Sequence, residues 1–517
     1  MTVPSSTSIG VGERASLSDW LAVTAGTLGA LMATLDISIV NSALPVVQGE
    51  IGANGTEGTW IGTAYLVAEI IIIPLSAWLT RLLGLRTLLL SVTSLFMVFS
   101  IVCGLSSSLG MMIAGRLGQG VTGGALIPTA MTIIATRLPP AQQSIGNACF
   151  GATALIGPLM GPLLGGWLTE TMSWHYIFFV NLPLSVGLVV LLFTTMPHER
   201  HRLDLITQAD WLGIAGLILG LGGLTIVLEE GERELWFESA LIWQLTCMSL
   251  IGFGLLIAGQ IYAARPVIRL RLLMQRQFSS VIIMSMVVSM VSYGTAYAIP
   301  QFLAGVASYN ALQSGVIVML SGVPIILMMP ITPLMIRMLD IRIAVGAGML
   351  LLAGSAFLET DISPLSAGNA FALSQILRGF GTTFTGLFLN QAAIRSVTRE
   401  HAADAAGVYN AARNLGGSLA LAAIAILQDR REWLHSRRIE ETVSANSPLV
   451  QSWLGAQSGS LSEPNAALRM LESIIRIQAM TMTYADLFWL LTVTIMLVTP
   501  LVFILRPLQT TSPLTRD

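Results

Sequence analysis

The sequence predicts an all-α integral membrane protein with fourteen transmembrane spans. Three observations support this fold class: 54% of the 517 residues are hydrophobic, only 10% are charged, and the mean hydropathy is +0.75. Apolar runs repeatedly reach the roughly 20 residues that a helix needs to cross a bilayer, whereas a soluble chain is normally about one-quarter charged. Bounded by Gly, Pro or charged residues, the predicted spans are 20–45, 58–80, 87–106, 109–136, 143–169, 175–196, 210–229, 240–263, 278–304, 313–336, 342–360, 366–395, 404–428 and 483–506.

Two pairs of similar segments predict that the spans form two related halves. PLSAWLTRLLGLR, which begins at Pro74, matches PITPLMIRMLDIR, which begins at Pro330, and RLGQGVTGG from Arg116 matches RGFGTTFTG from Arg378. Halves of this kind are related by an axis along the membrane normal, with the substrate site between them. The predicted domains are an N-terminal six-helix bundle at 20–196, an inserted helix pair at 210–263, and a C-terminal six-helix bundle at 278–506 with an outer loop at 429–482.

Arginine distribution predicts the orientation in the membrane. An even number of spans places both termini on one side, and most Arg residues of short loops fall on that side, which the positive-inside rule makes cytoplasmic. The short loops on the other side contain only Arg233. Residues 1–19 and 507–517 are therefore expected to be cytoplasmic tails. The start of the chain lacks the pattern of a removable signal peptide, so we expect the first span to be the targeting signal.

An acid inside the first span is the main functional candidate. Asp36 in the middle of a span costs about 2.5 to 3.5 kcal/mol, so such a residue usually faces a polar cavity and binds a ligand or a proton. From a rise of about 1.5 Å per residue, Asp36 and Glu69 lie roughly 14 Å below the outer surface and Arg116 lies about 10 Å below it. We expect the two acids to exchange protons as a coupled pair that Arg116 biases. The alternative is a set of structural ion pairs that lock helices together.

Other polar residues inside spans are candidates for the lining of a substrate cavity between the halves. These residues are Asn41, Gln119, Arg378, Asn390, Arg413 and Asn414. For Arg413, an alternative role is to neutralise carbonyl groups at a helix break. By contrast, Asp210, Glu229 and Glu230 are interpreted as solvated helix ends.

Small residues in span 5 predict a conformational role for that helix. Its glycines and prolines leave one face almost without side chains, which allows close packing and favours a pivot between two states. The alternative is a simple packing groove. These residues are Gly157, Pro158, Gly161, Pro162, Gly165 and Gly166. Between spans 2 and 3, Arg81, Gly84 and Arg86 are expected to form a gating loop.

These motifs resemble those of the major facilitator superfamily, in particular its fourteen-span drug/proton antiporters and the EmrB-like inner-membrane components of tripartite pumps. Leu35–Pro45 is similar to the span 1 motif, Arg116–Gly124 to the span 4 motif and Gly157–Gly166 to the span 5 antiporter motif. One departure is Arg81, which stands where the wider superfamily usually has Asp. The resemblance implies proton-coupled multidrug efflux by alternating access at a bacterial inner membrane, with a role in antibiotic resistance. It also implies contact between 429–482 and a periplasmic adaptor that leads to an outer-membrane channel.

Two other functions stay open at this point. The first is export of a single metabolite, such as a fatty acid or siderophore, and the second is a membrane enzyme or sensor on the same bundle. We expect no cofactor, metal or nucleic acid: the three cysteines are far apart, HExxH and CxxC do not occur, and a chain without Lys cannot contain GxxxxGKS. The outer segments 429–441 and 466–479 have helical patterns and predict an external hairpin, with a solvated cap as the alternative.

Overall fold

The computed structural model describes residues 15–505, apart from 54, 140, 141, 200, 203, 264, 265, 267, 310, 329, 330, 398–401, 444–446 and 459–465. The described residues form helices and contain no β-strand. The predicted tail 507–517 and most of the tail 1–19 lie outside them. The helices up to residue 262 are α1 (Leu17–Glu50), α2 (Gly55–Gly58), α3 (Trp60–Leu83), α4 (Leu85–Gly104), α5 (Leu109–Arg137), α6 (Gln143–Thr171), α7 (Tyr176–Phe179), α8 (Asn181–Thr195), α9 (Asp204–Thr207), α10 (Trp211–Glu230) and α11 (Ala240–Tyr262). The later ones are α12 (Arg276–Gly305), α13 (Ala311–Met319), α14 (Gly322–Met328), α15 (Thr332–Met338), α16 (Ile341–Leu358), α17 (Ala372–Arg395), α18 (Ala402–Thr442), α19 (Pro448–Ser458) and α20 (Ala466–Val498).

The all-α membrane fold is confirmed. Eleven helices of the described chain are long and apolar enough to cross a bilayer, and α6 and α17 occupy two further predicted spans. Two predicted spans consist of more than one helix: α7 and α8 form the span at 175–196, and α13, α14 and α15 form the span at 313–336. Pro324 and Pro333 lie in the first turns of α14 and α15, where a missing N–H is tolerated and a preceding helix cannot continue.

The segment predicted as an outer loop is largely a continuation of two spans. Helix α18 runs without a break from Ala402 to Thr442, and α20 begins at Ala466 and continues through the last span. The two extensions form the predicted hairpin, but they are parts of α18 and α20 instead of separate loop helices. His435 on α18 contacts Asp486 on α20 at 2.9 Å, and Arg431 contacts the same carboxylate at 3.1 Å.

One contact occurs in both halves at matching positions of the repeated segments. Arg86 and Arg342 occupy matching positions at the ends of the repeated segments. The Arg86 Nη2 group donates to the Phe193 carbonyl at 3.0 Å, and the Arg342 Nε group donates to the Leu505 carbonyl at 2.6 Å. Each acceptor belongs to the last span of its own half. Equivalent arginines therefore tie the third span to the sixth in both halves.

The inserted pair α10 and α11 packs tightly and contacts both halves. A Cβ on Gly252 of α11 would lie 2.6 Å from the Cα of Gly220 of α10, so the two backbones approach directly. Helix α10 also contacts α3 and α18, which belong to different halves. The interpretation of its acids as solvated ends is wrong for Asp210 and Glu230, which are 3% and 1% exposed. Asp210 accepts a hydrogen bond from the Gly213 amide at 2.7 Å and caps the helix.

Candidate functional site

Close packing of α1 on α6 sets the direction of Asp36. A Cβ on Gly157 would lie 2.9 Å from the Thr34 Cβ, and a Cβ on Gly161 would lie 2.8 Å from the Ser38 carbonyl carbon. Four-residue spacing on both helices places these small residues along one contact line. Asp36 is two residues from both Thr34 and Ser38, about 200° around the helix. The glycine face of α6 therefore turns Asp36 towards the interior of the first half.

The Asp36 carboxylate is held by side chains from two other helices, α5 and α8. Arg116 of α5 donates from Nη1 to Asp36 Oδ2 at 2.5 Å. Gln119 of α5 and Asn181 of α8 donate to Oδ1 at 3.0 Å and 2.7 Å. Gln119 and Asn181 also donate to the Ser100 hydroxyl of α4. Both carboxylate oxygens thus have partners, as expected for a buried charge that is paired and hydrogen-bonded.

Arg116 has further contacts that fix its position. Its Nε donates to the Ile61 carbonyl at 3.1 Å, and its guanidinium lies over the Tyr65 ring at 4.4 Å. Both members of the ion pair have 0% exposed side chains. The expectation that Asp36 faces a polar cavity is therefore wrong for this conformation. The pair belongs to an enclosed network, and exchange of a proton there requires that network to open.

Glu69 lies in a different environment from Asp36, although both acids were expected to form one pair. It is 4% exposed. Its side chain packs closely against α5, since a Cβ on Gly124 would lie 3.0 Å from the Glu69 Cγ. Its carboxylate makes no hydrogen bond with any residue that the structure describes. Tyr293 of α12 interacts electrostatically both with Glu69 and with Arg413 of α18. Glu69 is therefore an unpaired acid of the first half that lies close to side chains of the second.

The predicted cavity residues do not share one surface. Gln119 belongs to the enclosed Asp36 network, and Arg378 forms a buried ion pair with Glu359. Asn41 is exposed, Asn390 is buried with a free Oδ1 atom, and Arg413 and Asn414 are half-buried on α18. Tyr293 interacts electrostatically with both Arg413 and Glu69, so these two charges lie on either side of the same tyrosine.

One arginine of the predicted gating loop reaches the other half. Arg81 at the end of α3 contacts Asp404 near the start of α18, with Nη1 and Oδ1 2.8 Å apart. Arg269, in the connection after the inserted pair, lies 3.6 Å from the other oxygen of Asp404. Arg81 stands where related proteins usually have Asp, and the carboxylate beside it here is Asp404 of the second half. The pair joins the two halves at the ends of α3 and α18.

The other two residues of the predicted gating loop act within the first half. Gly84 has φ of 78°, a conformation that favours glycine, and the Glu199 Cβ would lie 2.8 Å from an added Cβ there. The Glu199 carboxylate accepts a hydrogen bond from the Leu85 amide at 2.8 Å. Arg86 bonds the Phe193 carbonyl. Gly84 and Arg86 therefore shape the loop, whereas Arg81 alone of these residues contacts the second half.

Several partners of the charged residues were not among the predicted site residues. Asn181 is a polar residue inside an apolar span, which is a signal for a buried contact. Ser100 gives a weaker signal of the same kind. Glu359 and Asp404 lie at span ends, where an acid is inexpensive, so their positions along the chain do not indicate that they are 1% and 5% exposed.

Comparisons with known proteins agree with this architecture. The sequence model described as Major Facilitator Superfamily matches residues 26–421. The colistin resistance protein EmrB of Acinetobacter baumannii is 30% identical over 93% of this chain and 94% of that protein. The multidrug export protein EmrB of Escherichia coli K12 is 29% identical over 90% of this chain and 91% of that protein.

A third relative and a solved structure extend the comparison. The fatty acid resistance protein FarB of Neisseria gonorrhoeae is 26% identical over 94% of this chain and 96% of that protein. The crystal structure of the human organic anion transporter MFSD10 has the same fold, with a TM-score of 0.58 and 16% identity over 92% of this chain and 99% of that one. With these matches and the membrane-spanning helices, the chain belongs to the Major Facilitator Superfamily and is a secondary transporter, not an enzyme.

Proposed function

We propose that this protein is a multidrug efflux transporter that exports amphipathic or lipophilic compounds in exchange for protons. Its relatives named for multidrug export cover at least nine-tenths of the chain, which supports the efflux function. The observation that carries proton exchange is Glu69, a buried acid whose carboxylate has no hydrogen-bonding partner among the described residues. An acid in that position costs free energy when charged, so it readily accepts a proton or a cationic group.

The two acids of the first half have separate roles in this proposal. Glu69 exchanges its proton with the substrate near Tyr293 and Arg413 of the second half. Asp36 and Arg116 form the rigid support behind it, because Arg116 lies over the ring of Tyr65, one helical turn before Glu69 on α3. Movement of α3 relative to α5 therefore changes the distance between Glu69 and the Arg116 charge. A conformational change and a proton exchange are coupled by this distance.

Alternating access follows from the contacts between the halves. The Arg81–Asp404 pair closes one end of the interface, and α6 of the first half contacts α13, α15 and α17 of the second. In the proposed orientation both termini are cytoplasmic, so the Arg81–Asp404 pair closes the cytoplasmic end. Rocking of the two halves opens this pair in the state that loads substrate from the cell.

A pH-change assay in proteoliposomes tests proton exchange. The purified chain is reconstituted with a pH-sensitive dye inside, and lipophilic compounds of positive, negative and neutral charge are added in turn. We expect at least one class to cause an internal pH change with wild type, and we expect Glu69→Gln to reduce its rate at least tenfold. Transport of a compound by wild type without any pH change would refute the proton coupling.

Glu69→Gln should change proton exchange without changing the stability of the fold. The substitution removes an unpaired charge, so we expect no loss of thermal stability, in contrast to a substitution in the Asp36 network. Glu170→Gln is the matched control, because Glu170 is an exposed acid near the end of α6. The control should keep the wild-type rate of pH change.

The outer hairpin of α18 and α20 supports assembly into a tripartite pump. It is held together by the Asp486 contacts of His435 and Arg431 and by Arg476 near Glu432 at 3.8 Å. Trp433 on the hairpin is 62% exposed. An exposed aromatic on a preformed helical surface suits a periplasmic adaptor that leads to an outer-membrane channel. Trp433→Ala should strongly reduce cross-linking to a co-expressed adaptor, and intact cross-linking would count against docking at this hairpin.

Export of a fatty acid is the second candidate function. The similarity to FarB, whose name refers to fatty acid resistance, favours it. Arg413 near the interface is the residue that would attract a carboxylate. In the pH-change assay, a response to long-chain fatty acids together with none to cationic or neutral drugs would favour this function.

A further inference from the structure

The second half contains an enclosed ionic cluster where α16 ends and α17 begins. Glu359, the C-cap residue of α16, forms an ion pair with Arg378 of α17. The Ser374 hydroxyl donates to Glu359 Oε1 at 2.7 Å, and Arg378 Nη1 donates to Gln375 Oε1 at 3.2 Å. The exposed fractions of these four residues lie between 0% and 4%. The cluster is thus as deeply enclosed as the Asp36 network.

Three polar atoms of this cluster have no hydrogen-bond partner among the described residues. They are Glu359 Oε2, which is an acceptor, and Arg378 Nε and Gln375 Nε2, which are donors. A buried polar atom without a partner costs about 1 to 3 kcal/mol, so native structures rarely leave several together. The three atoms belong to side chains that already contact one another. A small polar species in contact with these atoms would complete the cluster.

A water molecule, and the proton that it carries, match the unused atoms. Water can accept hydrogen bonds from the Arg378 and Gln375 donors and donate one to Glu359 Oε2, which gives the roughly three bonds that a buried water usually makes. A larger anion would oppose the Glu359 charge, and a metal ion would oppose Arg378. The chemistry of the three atoms therefore favours water over either kind of ion.

The position of the cluster gives protons a short route from one membrane surface. Glu359 immediately precedes an exposed turn that contains Asp361 and Ser363. Arg378 lies six residues after the start of α17, about 9 Å along the helix. In the proposed orientation this turn faces outwards, on the side from which an antiporter takes up protons. Glu359 is also held differently from Asp36, because Asp36 has partners on both oxygens and Glu359 has them on one.

We propose that Glu359, Arg378 and Gln375 form a second proton-binding site, in which an enclosed water passes a proton to Glu359 Oε2. A proton that arrives from the turn is passed through the enclosed water, which remains water, while the carboxylate becomes a neutral carboxyl group. The charge of the cluster then changes from zero to +1, which breaks the ion pair but leaves the Arg378 bond to Gln375. Arg378 is the charged side chain with which Glu359 interacts, and Ser374 and Gln375 of α17 are its polar neighbours.

This inference rests on the proposed proton exchange, and it adds a second proton to the transport cycle. Infrared difference spectra of the reconstituted full chain, recorded between acidic and alkaline samples, test it without a substrate. We expect wild type to show a carbonyl-stretch band of a protonated carboxyl group that Glu359→Gln lacks. Potentiometric titration should find about one proton fewer per molecule in that variant. Asp361→Asn, which changes an exposed acid two residues away, should keep the band.

Two further variants keep the test decisive. If Glu359→Gln does not fold because Arg378 is left unpaired, Glu359→Gln combined with Arg378→Gln removes both charges and should also lack the band. Gln375→Leu keeps the carboxyl group but removes one donor to the water, so its band should shift in frequency. Identical spectra for wild type and the Glu359 variants, or an unshifted band in Gln375→Leu, would overturn the proposal. Failure of the pH-change assay with this band intact would refute antiport alone.

Discussion

The Arg81–Asp404 pair makes an asymmetric prediction about the contact between the halves. The Asp404 side chain is 1% exposed and the Arg81 side chain is 40% exposed. Replacement of Arg81 by Gln therefore leaves a buried carboxylate with only the longer contact to Arg269. Replacement of Asp404 by Asn instead leaves two arginines that are each about half in solvent. The first change should weaken the closed interface more than the second.

The expected sizes follow from this exposure. Exposed ion pairs contribute about 0.2 to 1 kcal/mol, whereas removal of one partner from a buried pair costs about 3 to 5 kcal/mol. For a half-exposed pair we expect Arg81→Gln to cost about 2 kcal/mol, which shifts the equilibrium between closed and open interface about 30-fold. Asp404→Asn should cost less than about 1 kcal/mol, a shift of at most about fivefold.

Distances between spin labels measure this equilibrium. Labels on introduced cysteines at the ends of α3 and α18 that carry Arg81 and Asp404 report the fraction of open molecules, in a background without the native cysteines. Arg86→Gln is the matched control, because the contacts of Arg86 among the described residues, the carbonyl and the ring of Phe193, lie in its own half. Its distance distribution should equal that of wild type. A larger effect of Asp404→Asn than of Arg81→Gln would refute the reasoning.

Two further predictions concern the first half. Asp36→Asn should lower the free energy of unfolding by about 3 kcal/mol, because it leaves the fully buried Arg116 charge unpaired, and the double variant with Arg116→Gln should recover part of that loss in a thermal unfolding assay. A wild-type melting temperature for Asp36→Asn would contradict the network. Gly161→Val should cost about 1 to 3 kcal/mol and slow transport, since its side chain would overlap with Ser38 of α1. Gly166→Val is its control, because an added Cβ there meets nothing within 4 Å, and equal effects of the two would exclude the close contact as the cause.

Hydropathy and motif reasoning predicted the positions of the spans but not the ends of the outer helices. Span limits depend on apolar length, which the bilayer fixes. Residues 429–442 are charged, so hydropathy ends the span at 428, although their helical pattern continues without a break. Hydrogen bonds along the backbone do not depend on the membrane boundary. Helix α18 therefore continues where its apolar surface stops.

Pairing of charges was only partly predictable. The depth estimate placed Arg116 near both Asp36 and Glu69, and packing of α1 on α6 decides in favour of Asp36. Sequence spacing along separate spans contains no information about that rotation. The pairing of Arg81 with Asp404 joins residues 323 positions apart and depends on how the halves meet. Such contacts follow from tertiary packing, which a single sequence does not specify.

The uninterrupted length of α18 has a mechanical consequence. A helix of 41 residues is about 60 Å long, more than the full thickness of a bilayer. It has Asp404 of the interdomain contact near one end and the outer hairpin at the other. If α18 tilts about its middle, a displacement of the end near Asp404 moves the hairpin at the other end in the opposite direction. A protein bound to the hairpin would therefore be displaced when the interface between the halves opens or closes.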